Sequence, residues 1–361
     1  MGTPPVTDGH LTSFHAASQH GPRPLPLFLS LLRSETAASP ERRHAALAGL
    51  KAYQHAQRPP ERVPAPAIAE SSRARLRDYG GCGPPVVFVP SLINPPFVLD
   101  LAEDNSLLRW LATQGLRPLL VDWGSPGPEA RAEGLDHHIE RLLFPLLDSL
   151  GEPPLLVGYC LGGTLALAAA SLRPLRGVAT IAAPWRFSRY GDLARAAIAA
   201  QWDAAQPACQ ALGLVPMEVL QSGFWQLDPA RTVAKFQKFA GVEPGSAAAR
   251  SFVALEDWAN GGAPLTYAVG QQMFERFFAG DRPGRGRWWV GGTRILPSRL
   301  ACPAIEFISA TDRIVPAASA IGLPEQRVLR SGHVGMVVGG RARAELWEPL
   351  RDWLIAAAHT K

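Results

Sequence analysis

Cysteine is scarce in this chain: Cys82, Cys160, Cys209 and Cys302 are the only four among 361 residues. No Cys-x-x-Cys pair occurs, which argues against a zinc knuckle, and four cysteines are too few for a disulfide framework at this length. Long apolar runs are missing as well. The stretch Leu25–Leu32 (LPLFLSLL) is far short of the roughly 20 residues needed to cross a bilayer. The first 24 residues are polar and rich in Pro and Gly, with no basic segment leading into an apolar one, so no secretory leader is expected. The chain is therefore read as cytoplasmic. No internal repeat is found. A large excess of one charge is absent too: 36 basic and 31 acidic residues leave +5. Most of that excess sits in residues 1–80, where ten bases face six acids; the remaining residues are nearly neutral. No basic stripe with interleaved aromatics appears, so a nucleic-acid partner is not expected.

What is present is ordinary globular material, 47% hydrophobic and 19% charged, which excludes wholesale disorder. The length suits two domains, or one domain carrying a large insertion. Residues 25–57 suggest two short helices broken at Ser39-Pro40, followed by a Pro-rich linker over 58–67. Residues 1–83 are thus expected to form an N-terminal arm and linker. From residue 84, short apolar runs (Val86–Val89, Leu119–Val121, Leu155–Val157, Gly177–Ala182) alternate with helical periodicity at Ser106–Thr113, Leu135–Leu150 and Leu161–Leu172. Buried strands alternating with helices imply a mostly parallel sheet covered on both faces. The pattern lapses over 185–290, which is Trp-, Phe- and Ala-rich with helical segments and no clear strand. It resumes with Ala304–Ser309, Arg327–Leu329 and a closing helix over Ala342–Ala358. The expectation is an α/β fold whose core, 84–184 and 291–361, is split by a helical cap at 185–290.

The segment Gly158-Tyr-Cys160-Leu-Gly162 has the frame strand, G-x-nucleophile-x-G, helix. That is the nucleophile elbow of the α/β-hydrolase fold with Cys in place of Ser. A sharp strand-to-helix turn needs small residues two before and two after the nucleophile, and the helix N-terminus favours a thiolate. The amide of Leu161 would face the developing oxyanion. In this fold the acid and the histidine follow the nucleophile in that order. Asp312 comes after the run AIEFIS, and His333 comes after Arg327-Val-Leu-Arg-Ser-Gly. The loop Pro90-Ser-Leu-Ile-Asn94 would supply a second oxyanion donor, with the amide near Ile93 as candidate. The plain readings are a buried cysteine in a glycine turn, a helix-capping Asp312 and a loop His333; the joint order of all three weighs against them.

These motifs together resemble the polyhydroxyalkanoate synthases over about residues 84–355. GYCLGG matches their cysteine-containing lipase-like box. Val89–Asn94, Asn105-Ser106, Arg109-Trp110 and Leu120-Val-Asp-Trp123 look like their oxyanion-loop region and following strand. Phe252–Trp258 resembles a cap segment, and Asp312-Arg-Ile-Val-Pro and Ser331-Gly-His333 match the acid and base motifs. Arg313 stands where the family usually has His, and Val337-Val-Gly-Gly340 where it tends to Asn-Pro. The resemblance implies a Cys160-His333-Asp312 triad acting on (R)-3-hydroxyacyl-CoA, with coenzyme A as part of the substrate and no other cofactor or metal. It also implies contact with a polyester granule surface and with a second synthase subunit or a second copy of the chain. A Cys-dependent hydrolase (thioesterase, polyester depolymerase or dienelactone-hydrolase relative) and a non-catalytic granule protein are the competing readings. The stretch Arg282–Trp289 and the tryptophans of 185–290 are read first as cap loop and cap core, and second as a coenzyme A contact and a channel lining.

Overall fold

The structure, a computed structural model, describes residues 20–59 and 63–359. Most of the expected polar tail over 1–24, and residues 60–62 of the linker, lie outside the described residues. Eight strands form one sheet: β1 (Ala67–Ser71), β2 (Ala74–Asp78), β3 (Pro85–Val89), β4 (Arg117–Asp122), β5 (Leu155–Tyr159), β6 (Gly177–Ile181), β7 (Ala304–Ser309) and β8 (Glu325–Leu329). Their spatial order is β1-β2-β4-β3-β5-β6-β7-β8. All neighbours from β4 to β8 run parallel, whereas β2 is antiparallel to both β1 and β4.

The alternation of side chains along each strand separates two cores. Val87, Val89, Leu119, Val121 and Leu156 face one side. There they meet α5 (Leu161–Leu172) and α4, which runs from Leu135–His137 through a π-helical stretch, His138–Leu143, into Phe144–Asp148. Val86, Phe88, Leu120, Leu155 and Val157 face the other side. Their partners are α3 (Leu107–Ala112) and the closing α11, which is Arg343–Trp347 continued by Glu348–Ala358. Because both faces are covered, β3, β5 and β6 are buried at every position, and that is why their sequences read as unbroken apolar runs.

The cap holds α6 (Asp192–Leu212), α7 (Met217–Leu227), α8 (Pro229–Phe239), α9 (Ala247–Asn260) and α10, which is Tyr267–Gln271 continued by the π-helical Gln272–Ala279. One feature departs from expectation: the sheet begins at Ala67, not near residue 84. β1 and β2 are half exposed and charged at Glu70, Arg75, Arg77 and Asp78, so no apolar run marks them. The apolar run Leu25–Leu32 packs against the body, its first reading, rather than standing free for a granule or partner. The helices α1 (Leu25–Glu35) and α2 (Pro40–His55) pack on the cap, burying Phe28, Leu32, Leu50 and Tyr53 against Trp225, Phe236, Phe239 and Val253. Each large side chain buried this way contributes roughly 2–3 kcal/mol. Arg58 and Tyr53 both bond Asp257 of α9, at 2.9 and 2.6 Å, completing the junction. The cap also contains a two-residue strand pair, Leu214–Val215 with Leu265–Thr266, too short to leave a sequence pattern.

Candidate active site

The turn between β5 and α5 carries Cys160 at φ 54°, ψ −129°, a region costing a non-glycine residue about 1–3 kcal/mol. Neighbouring elements hold it there: the Cys160 amide donates to Ile181 O at 2.9 Å, and the Gly163 amide donates to Cys160 O at 2.8 Å. The two flanking glycines are required by close approach. A Cβ on Gly158 would lie 2.3 Å from Gly163 Cα, and one on Gly162 would lie 2.1 Å from Val89 O. Either would push the helix off the sheet and move the thiol.

Asp312 and His333 stand on the loops after β7 and β8, and parallel pairing of Ser309 with Leu329 brings the two loops side by side. The hydroxyl of Ser309 donates to Ser331 O, and Thr311 Oγ1 donates to Arg330 O at 3.0 Å, tying them together. Farther along, Glu306 on β7 accepts the amides of Ile321, Gly322 and Leu323, which fixes the crossover to β8. Asp312 uses both carboxylate oxygens. Oδ1 accepts the amides of Ile314 and Val315 at 2.7 and 2.9 Å, and Oδ2 accepts His333 Nδ1–H at 2.6 Å. The capping role and the histidine contact therefore coexist in one side chain. Burial pushes the His333 pKa down, but the charges of Asp312 and a Cys160 thiolate, with hydrogen bonds to both, override it and raise the ring to about 10. With Nδ1 committed to Asp312, Nε2 is the nitrogen left for Cys160.

The two expected oxyanion donors differ. Leu161 opens α5, where the first amides have no acceptor within the helix. The Ile93 amide, in contrast, donates to Ser91 Oγ at 3.2 Å. The side chain two residues upstream competes for it, a local turn bond that the loop's sequence did not advertise.

Two cavities meet at Cys160. One of about 200 Å³ is lined by Cys160, His333, Asn94, Gln221, Lys235 and Trp258, among others. The other, of about 410 Å³, is lined by Cys160, Leu161 and mostly apolar cap residues. Several of these were not singled out from sequence. Lys235 on α8 pairs with the buried Glu256 of α9 at 2.7 Å. Trp258 Nε1 donates to Pro95 O at 2.8 Å and Asn94 Nδ2 to Ala259 O at 3.4 Å, pinning the cap to the β3 loop. Tyr159 lies beside His333, ring centroids 5.2 Å apart, and its hydroxyl donates to His333 O at 3.3 Å. Its place beside the nucleophile in GYCLGG was the available signal.

Other sequence features stay away from the site. Arg282–Trp289 lines neither cavity, and Trp288 packs on Trp185 and Phe277 instead. No tryptophan is among the residues lining the larger cavity, which include several Phe side chains, in keeping with the first reading of the cap tryptophans as core, although Trp225 and Trp258 border the smaller cavity. Cys82, Cys209 and Cys302 are free thiols lining neither cavity. Among the described residues, no cluster of three or more His, Cys, Asp or Glu side chains is arranged to hold a metal, and no helix is long and apolar enough to cross a membrane.

A mostly parallel eight-stranded sheet in this order, with a cysteine at the elbow after its fifth strand and Asp and His on the last two strand ends, defines a protein of the α/β-hydrolase class. No family model matches the chain. Within that class, it is similar to the Poly(3-hydroxyalkanoate) polymerase subunit PhaC of Haloferax mediterranei, 27% identical over 293 residues, which are 76% of this chain and 59% of the relative. The namesake of Haloarcula marismortui is 24% identical over 79% of this chain and 63% of its own length. That of Allochromatium vinosum is 26% identical over 75% of this chain and 80% of the relative. The match thus spans about three fifths of the first two relatives. Among solved structures, the monoacylglycerol lipase of Paleococcus ferrophilus aligns with 79% of this chain and 99% of its own, at 14% identity and a TM-score of 0.49. The resemblance to the polyhydroxyalkanoate synthases read from the motifs is borne out by the polymerase relatives.

Proposed function

We propose that this chain is a polyhydroxyalkanoate synthase-like acyltransferase acting on (R)-3-hydroxyacyl-CoA through Cys160, His333 and Asp312. The observation that carries the reading is the bond of His333 to Asp312 at 2.6 Å, together with the place of His333 and Cys160 on the wall of one cavity at the elbow. His333 takes the thiol proton, and Cys160 Sγ attacks the thioester carbonyl. The oxyanion forms against the Leu161 amide. The carbon–sulfur bond to coenzyme A breaks, and the departing thiolate takes the proton back from His333. The acyl group is then a thioester on Cys160. The 3-hydroxyl of the next unit gives its proton to His333 and attacks that thioester, forming an ester bond and freeing the thiol. Asp312 keeps His333 oriented and supports its positive charge. The cap excludes water, which would otherwise release a free hydroxy acid. The scheme needs no metal or prosthetic group.

The relatives' name, polymerase subunit, suggests partners to the same reading: a second synthase subunit or a second copy of this chain, at a cytoplasmic polyester granule. The test is incubation with 3-hydroxybutyryl-CoA, scoring thiol release and product size together, with Cys160→Ala as control. Thiol release with polymer is expected. Thiol release with only free hydroxy acid would replace the reading with a thioesterase, and unchanged release by Cys160→Ala would remove Cys160 from the mechanism.

A further inference from the structure

The two cavities at Cys160 differ in chemistry. The smaller one presents Lys235, Gln221, Asn94 and His333, groups suited to a polar, amide-bearing arm. The larger one, about 410 Å³, is lined by Phe187, Ile198, Phe224, Met273, Phe274 and Phe278. Apart from Tyr190, Gln201, Gln226 and Arg313, its lining has little to offer a polar group. Cys160 and Leu161 form part of its lining, so a chain held on Sγ has direct access to it. A cavity of about 150 Å³ with comparable walls holds benzene, six carbons, and stays dry when empty. The cavity here is more than twice that size. A four-carbon acyl group would leave most of its apolar wall without partners, whereas a longer chain would cover it.

We propose that this cavity is the acyl-chain subsite, and that it selects 3-hydroxyacyl groups of about eight to twelve carbons over the four-carbon unit. The inference rests on the transferase reading above. Small residues on the cap leave the space open: Ala194 and Ala197 on α6 are part of its lining. Chain-length selectivity is therefore set by the cap and not by the elbow.

The test is pre-steady-state thiol release, which reports the first acylation of Cys160 before any polymer forms. With 3-hydroxydecanoyl-CoA and 3-hydroxybutyryl-CoA compared, the decanoyl substrate should show at least a tenfold higher kcat/KM, since each methylene in such a pocket discriminates by about tenfold or more. Ala194→Phe and, independently, Ala197→Phe should reverse the ratio in favour of the butyryl substrate. Thermal melting of each variant checks its fold, and two positions guard against one failing to fold. A wild-type preference for the butyryl substrate, or a ratio unmoved by both folded variants, overturns the subsite. Absence of thiol release from either substrate overturns the transferase reading, and the subsite with it.

Discussion

The chain buries two histidines almost equally, His138 at 4% and His333 at 8% exposure, and charges them in opposite ways. His333 meets a carboxylate and a thiol, and its pKa rises to about 10. His138, on the π-helical stretch of α4, is pushed down to about 4 by burial, with the nearby Arg73 charge adding to it. Its Nδ1–H donates to Gly134 O at 2.7 Å, while Nε2 accepts from Arg73 at 3.0 Å, so both ring nitrogens are committed to the neutral form. Arg73 is in turn paired with Glu133, and the Trp123 ring covers the imidazole edge-on at 5.7 Å. Burial, then, does not separate the histidine proposed as the base from a structural one. What separates them is whether a ring nitrogen is left to exchange a proton and whether a carboxylate stabilises the result.

The largest expected effects break that comparison directly. His333→Gln should lower kcat for acyl transfer by about 10²–10⁴-fold, the usual range for a lost general base. The corresponding change at the other ring, His138→Gln, should leave kcat within a few-fold yet cost about 2 kcal/mol of stability, because Arg73 and the Gly134 carbonyl lose a fitted partner. Steady-state kinetics and chemical denaturation of the pair decide it; a large kinetic loss at His138 would sink the distinction. Next in size is Asp312→Asn, which keeps the shape and removes the charge. A loss of about 10²–10⁴-fold in kcat is expected from a misdirected imidazole. Activity within twofold of wild type would show that Asp312 serves only its loop.

How much of this was legible beforehand follows from where the signal resides. The elbow is a local matter: G-x-C-x-G is imposed by contacts between Gly158, Gly162 and backbone atoms a few residues or one strand away. β3, β5 and β6 were readable because both of their faces are dry. β1 and β2 were not, since edge position and charged residues such as Arg75 and Arg77 remove the apolar run. Which surface α1 and α2 pack on was hidden for another reason. Phe28 and Trp225 are far apart in the chain, and pairing at that distance leaves no periodic trace. The bond from the Ile93 amide to Ser91 Oγ was not legible, because nothing in Pro90–Asn94 announces that Ser91 turns back on it. His138 precedes Cys160 and so falls outside the nucleophile, acid, histidine order of the fold, and its hydrogen bonds give the physical reason it stays neutral.

The same contrast should appear in stability against pH. For His333 the folded pKa, about 10, lies above the unfolded value near 6.5. Between those values the folded protein binds the extra proton, so the stabilisation is complete below about pH 6.5 and is lost as pH rises through about 10. For His138 the folded pKa, about 4, lies below the unfolded one. The unfolded chain then binds the extra proton, so stability is full above about pH 6.5 and declines toward pH 4, by about 3 kcal/mol at most. Denaturant midpoints across pH should show both limbs. Asp312→Asn should flatten the alkaline limb alone, and His138→Gln the acidic limb alone; a crossed or shared response would mean that other groups govern the curve.

The smallest effect sharpens what holds His333 in place. Tyr159 offers two supports: its ring lies against the imidazole, and its hydroxyl donates to the His333 carbonyl at 3.3 Å. Burial holds the phenol well above its ordinary pKa, so it remains an O–H donor throughout the working range. Tyr159→Phe deletes only the donor. One long neutral hydrogen bond is worth about 0.5–1.5 kcal/mol, so kcat should fall by roughly two- to tenfold with KM and the pH profile unchanged. Tyr159→Ala also removes the ring and should cost distinctly more, with a shifted pH profile as the imidazole loses its fixed place. His138 gets comparable support from Trp123, but there no catalytic readout should follow. If Tyr159→Phe and Tyr159→Ala behave alike, the hydroxyl and not the ring sets the orientation of the base.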